Sequence, residues 1–104
     1  AFGMVGMDFE TAVRENIPIM TVVFNNGVMG GYTKKQPIAV EKYQVNELTG
    51  NYSAVAEALG GYAERVHEVE ELRPALERGL ESTRQGRAAL IEVMVVEDFK
   101  YPGT

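Results

Sequence analysis

Two consecutive amides, Asn25 and Asn26, close the apolar run Thr21-Val22-Val23-Phe24 and open a glycine-rich bend through Gly27, Gly30 and Gly31. An amide oxygen is a hard neutral donor, so Asn26 with a nearby main-chain carbonyl such as that of Val28 suits Mg2+ or Ca2+. Magnesium held by so few protein groups completes its shell with water and phosphate oxygens, which implies a phosphorylated ligand. Gly30 and Gly31 fit, because glycine lets backbone N–H groups approach an anion closely. Paired asparagine before glycine is equally a turn signal, and the spacing taken alone weighs toward the turn. If the run is a strand of a parallel sheet, its carboxyl end is where ligands of open α/β folds bind.

Other candidate groups lead less far. His67 is the single histidine and follows a short β-rich run, so it reads as a surface residue at a strand end. There is no cysteine, which removes disulfides and thiolate metal sites and fits a reducing, cytoplasmic setting. No serine has a recognisable base partner. Gly3-x-x-Gly6 is too short for a dinucleotide fingerprint and no strand precedes it. The five methionines read as core or pocket filler, with Met29 on the bend. Lys34-Lys35 is the sole adjacent basic pair; it reads as a solvated loop, with an anionic substrate as the alternative. A net charge of -5 and the acids from Glu57 to Glu81 disfavour nucleic acid, which needs clustered Lys and Arg. No apolar run approaches the roughly 20 residues of a membrane span, and no secretory leader pattern opens the sequence.

The positioning elements follow from period and punctuation. At 104 residues, 45% apolar and 24% charged, the chain is expected to form one soluble domain, residues 1–104, with a polar tail from about 97 to 104. Asp8 is a plausible cap for a helix to Glu15 with Phe9, Ala12 and Val13 inward, ended by Asn16-Ile17-Pro18. Ile19 to Phe24 shows no strict alternation and reads as a strand covered on both faces. Residues 27–50 show no convincing period and read as a long connection. Asn51 or Ser53 caps a helix with Tyr52, Val55, Ala56 and Leu59 inward, stopped by Gly60-Gly61. Tyr62 to Val66 is a short strand. Glu68, Glu70 and Glu71 suit the start of a helix with Leu72, Ala75, Leu76 and Leu80 inward, where Pro74 is tolerable near the first turn. Ala89 to Val96 is a second fully buried strand. Strands separated by helices imply right-handed crossovers and a three-layer α/β fold with a mostly parallel sheet.

The flanking text carries a resemblance. AFGMVGMDFETAVRENIPIMTVVFNNG resembles the thiamine-diphosphate fingerprint of the acetolactate synthase and oxalyl-CoA decarboxylase superfamily, which runs from Gly-Asp-Gly across some two dozen residues to Asn-Asn. The matching pieces are Ala1-Phe2, Glu10-Thr11-Ala12, Asn16-Ile17-Pro18-Ile19 and Asn25-Asn26. Downstream, YSAVAEALGGYAERV and the segments Leu72 to Leu80 and Ala89 to Val96 are similar to the family's later helices and strands. The resemblance implies a truncated thiamine-diphosphate-binding fold that takes thiamine diphosphate and Mg2+. It makes Asn26 a side-chain ligand and Val28 a carbonyl ligand of the metal, and gives Asn25 the shaping of the turn. Ala1, Phe2, Met29 and Gly30 would offer main-chain N–H groups near the diphosphate. No catalytic residue is assigned.

Gly-Asp-Gly itself does not occur among these residues, and its Asp is the family's acidic metal ligand. The pyrimidine-binding domain, which supplies the activating Glu in the family, has no counterpart in the sequence either. The expectation is therefore a domain fragment, silent alone, of an enzyme that decarboxylates a 2-oxo acid or an oxalyl-type thioester, or ligates the resulting two-carbon unit, with a 2-oxo acid or acyl-CoA as the substrate class. Expected partners are a second copy or a pyrimidine-binding domain or subunit. The alternative is a non-enzymatic, oligomerising α/β module.

Overall fold

The computed structural model describes residues 1–96; the tail expected at 97–104 lies outside the described residues. The elements in chain order are α1 (Phe2–Val5), α2 (Asp8–Arg14), β1 (Met20–Asn25), α3 (Tyr32–Lys35), α4 (Pro37–Tyr43), α5 (Tyr52–Ala58), β2 (Tyr62–Val66), α6 (Val69–Arg84) and β3 (Ala89–Met94). They fall into two compact units: Ala1–Phe24 with Asn51–Met94, and Asn25–Gly50 with the segment from Val95.

The first unit holds a three-stranded sheet in the order β1-β3-β2. β2 and β3 are parallel, with Tyr62 opposite Ala89 and Val66 opposite Val93. β1 runs the same way: Ile19 O accepts from Ala89 N at 2.9 Å, and Asn25 O accepts from Val95 N at 3.0 Å, six residues on along both segments. Successive β3 side chains point to opposite faces. On one face Leu90 joins Phe9, Ala12, Ala56 and Ala63 from α2, α5 and β2. On the other, Ile91 and Val93 join Val66 and Ala75 from β2 and α6. The helix–sheet–helix layering and the parallel sheet match the expectation from sequence.

β1 differs from the expectation. Its side chains alternate, with Met20, Val22 and Phe24 exposed, Phe24 at 70%. The cause is strand order: β3, which is covered on both faces, takes the centre, and β1 is an edge strand.

Smaller differences have local causes. Asp8 is the first residue of α2 rather than its cap, which is Met7. Val55 and Leu80 are exposed, because α5 buries Ser53 and Ala56 and α6 buries Ala75, Gly79 and Ser82. Small residues line these faces because the helices lie close to the sheet: a Cβ on Gly79 would stand 3.1 Å from both Ile91 Cδ1 and Met20 Sδ. Pro74 lies beyond the first turn of α6, where it withholds an N–H from the Glu70 carbonyl without stopping the helix. β3 ends at Met94, two residues before the expected limit.

The second unit replaces the expected connection over 27–50 with structure. α3 and α4 form there, and Val28 and Glu47 make an isolated antiparallel bridge. Neither helix buries a residue, so no apolar period marked them. Pro37 starts α4 at its first turn, and Gln44, at φ 49°, ends it in the left-handed region.

No described helix is long and apolar enough to cross a membrane.

Candidate functional site

In the second unit, the end of β1 turns through two overlapping side-chain-to-backbone bonds. Asn25 Oδ1 accepts from Gly27 N at 3.0 Å, and Asn26 Oδ1 accepts from Val28 N at 3.1 Å. Each amide thus mimics a peptide carbonyl two residues back, and Gly27 takes the positive φ of 74° that the bend requires. Turn and metal ligand were alternatives in the sequence; in the folded chain they are compatible. An amide oxygen has two lone pairs, and the bond from Val28 N occupies one of them on Asn26.

The Val28–Glu47 bridge holds the residues after the turn. Leu48 N donates to Gly27 O at 2.8 Å and Met29 N donates to Asn46 O at 2.7 Å. These bonds flank Val28, and its carbonyl takes no backbone hydrogen bond among the described residues. They also change the expectation for Met29, whose N–H is committed to Asn46 and is not free for an anion. The N–H of Gly30 is not engaged by any described backbone group. Gly31, buried and at φ 85°, starts α3, with the Lys35 side chain running past it.

Asn46 is a residue that pattern reading missed. It is 6% exposed, its Nδ2 donates to Thr33 Oγ1 at 2.9 Å, and its Oδ1 has no hydrogen-bond partner among the described residues. A buried acceptor left unmatched costs free energy unless a water, ion or ligand completes it. Together with Asn26 Oδ1 and the Val28 carbonyl, this unit carries neutral oxygens of the kind a hard divalent ion accepts. Among the described residues no group of three or more His, Cys, Asp or Glu is arranged to hold a metal.

Ala1 and Phe2 belong to the first unit. Phe2 opens α1 and its carbonyl accepts from Gly6 N at 2.6 Å. Its ring lies over Gly6, where an added Cβ would fall 2.7 Å from Phe2 Cε1, and meets the Tyr52 ring at a centroid distance of 5.1 Å and 55°. Tyr52 is the first residue of α5. Asn51 caps that helix, accepting from Ala54 N at 3.0 Å and from Ser53 Oγ at 2.8 Å.

Glu92 is the second residue that the apolar period concealed. It is fully buried on β3, accepting from Tyr52 N at 3.3 Å and Ser53 N at 3.2 Å, with Arg65 Nε 3.2 Å from Oε1. Its signal was the lone carboxylate in the run ALIEVMVV. On the opposite face, Arg78 binds Glu64 through two nitrogens, each at 2.7 Å, and the Tyr62 hydroxyl donates to the same carboxylate. The Arg78 bond holds the Glu64 carboxyl below its usual range, while burial and then Glu64 raise the Tyr62 phenol.

Residues 1–93 match the family model described as thiamine pyrophosphate enzyme, C-terminal TPP binding domain. The chain is 38% identical over 98% of its length to a probable acetolactate synthase of Mycobacterium bovis. It is 31% identical over 98% of its length to a sulfoacetaldehyde acetyltransferase of Alcaligenes xylosoxydans. To a 2-hydroxyacyl-CoA lyase of rice it is 33% identical over 90% of its length. It spans 17–18% of the length of each of these relatives.

Proposed function

Because the chain belongs to the thiamine pyrophosphate enzyme family, in its C-terminal cofactor-binding domain, we propose that it serves as the cofactor-binding part of a decarboxylase or carboligase. Its substrate class would be a 2-oxo acid or an acyl-CoA. Thiamine diphosphate supplies the electron sink for cleaving or forming a bond beside a carbonyl, and protein groups bind and orient it.

The observation that carries the reading is the pairing of Asn26 Oδ1, held by Val28 N, with a Val28 carbonyl that no described backbone group engages. These two are the Mg2+ ligands of the proposal. Asn25 keeps the turn through its bond to Gly27. Gly30 offers an N–H to the diphosphate, while Met29 braces the bend through Asn46. Ala1 and Phe2, which lie in the other unit, are proposed on the resemblance alone as main-chain N–H donors to a diphosphate. The isolated 104 residues hold neutral ligands without the family's acidic one, so weak binding and no turnover are expected of them. Losing a supporting group alone costs about 10–100-fold in metal affinity.

An NMR titration of the chain with Mg2+ and thiamine diphosphate tests this. Saturable, Mg2+-dependent shifts at Asn26, Val28 and Gly30 support the assignment; no shift at any of them refutes it. Micromolar affinity would overturn the expectation of weak binding.

The exposed apolar side chains of β1 favour a second reading, a non-enzymatic α/β module that oligomerises. Sedimentation at increasing concentration separates the cases in part, since a strict monomer counts against self-association.

A further inference from the structure

Glu92 is a carboxylate with no solvent exposure at the centre of the sheet, and such a group is a costly way to fill a core position. Its surroundings indicate what holds it there. Arg65 stands opposite it in the β2–β3 register and brings Nε to 3.2 Å. The carboxylate also accepts from the first two N–H groups of α5, on Tyr52 and Ser53. The third, on Ala54, goes to the Asn51 cap. The first turn of α5 is therefore tied down twice, once by its own cap and once by the sheet.

What rests on that turn is the Tyr52 ring, and against it lies Phe2. Gly6 closes in behind: a Cβ there would stand 2.5 Å from Phe2 O and 2.7 Å from its ring, so the residue between them has little freedom. We propose that Glu92 is a positioning residue, which through Tyr52 fixes Phe2 and with it the backbone at the start of the chain. The consequence for the cofactor rests on the assignment of Phe2 to the diphosphate in the preceding subsection; the mechanical link from Glu92 to Phe2 does not.

NMR on the 104-residue chain separates the two. Glu92→Gln keeps the shape and removes the charge, and Glu92→Asp keeps the charge and shortens the reach; whichever folds is read. Tyr52→Ala leaves Glu92 and the helix N–H groups in place and removes the ring, and Tyr52→Phe restores it. The expected result is that the Phe2–Tyr52 ring contact is lost and the Phe2 amide shifts in the Glu92 variants. The Phe2 amide should shift likewise in Tyr52→Ala and return in Tyr52→Phe. The Asn46 and Leu48 amides should stay unchanged throughout. Phe2 resonances left at their wild-type positions in a folded Glu92 variant, or in Tyr52→Ala, overturn the proposal. Thiamine diphosphate affinity should fall about tenfold in the same variants; equal affinity overturns the role toward the cofactor. Absence of binding by the wild-type chain refutes the cofactor assignment alone, and the ring contact still decides whether Glu92 positions Phe2.

Discussion

Arg65 and Glu92 face each other across the β2–β3 ladder, and the guanidinium of a partly exposed side chain sits 3.2 Å from a carboxylate with no exposure at all. Removing one member of such a pair leaves a buried charge short of a partner. Arg65→Met is expected to cost about 2–3 kcal/mol, near the low end for a buried pair because Arg65 reaches solvent. Urea denaturation measures it. Adding Glu92→Gln should recover part of the loss, and simple additivity of the two changes would deny the coupling.

Asn25 and Asn26 make equivalent turn bonds and differ in the proposed chemistry. Each change to alanine should cost about 1 kcal/mol in stability, one hydrogen bond's worth. Mg2+-dependent binding of thiamine diphosphate should weaken about tenfold or more in Asn26→Ala. Asn25→Ala should bind more nearly as the wild type does. A calorimetric titration in which the two variants lose affinity equally would make Asn26 a turn residue and nothing more.

Gly61 and Gly86 separate packing from backbone strain. A Cβ on Gly61 would run into the buried Phe9 ring and stand 3.2 Å from Ala88 O. Gly61→Ala is expected to cost about 2–3 kcal/mol through overpacking. Gly86, at φ 87°, has nothing within 4 Å, so Gly86→Ala meets only the left-handed backbone, at about 1–2 kcal/mol. Thermal melts should place Gly61→Ala below Gly86→Ala; the reverse order would mean that α2 moves aside to admit the methyl group.

The Glu64 carboxyl, depressed first by its Arg78 bond, gives stability a defined pH dependence. A folded-state pKa below the unfolded one contributes stability above the unfolded value and loses it as pH falls through the folded one. The advantage of wild type over Glu64→Gln should thus be full at about pH 7 and shrink below about pH 4, where an ordinary glutamate begins to protonate. Melting curves from about pH 7 to about pH 3 check this. A constant difference across that range would assign the effect to packing of Tyr62 rather than to charge.

The turn at the end of β1 was legible because its signals are local. Asn25, Asn26 and Gly27 specify their turn by side-chain reach and a positive φ, both properties of a few consecutive residues. The Met29 N–H could not be judged the same way, because its partner is Asn46, seventeen residues on, across a bridge that no period announces. For the same reason α3 and α4 went unread: they bury nothing, so their sequences carry no stripe.

The order of α2, β1, α5, β2, α6 and β3, the parallel sheet and the asparagine turn follow from the sequence by itself, since periodicity, caps and glycines act over short distances. Tertiary structure decided the rest. It put β3 rather than β1 at the centre of the sheet, which leaves Phe24 exposed although its run is as apolar as any in the chain. It also turned Glu92, a lone acid in an apolar strand, into the tie that holds α5. Strand order and the pairing of a buried charge depend on residues dozens of positions apart, and only the folded chain brings those together.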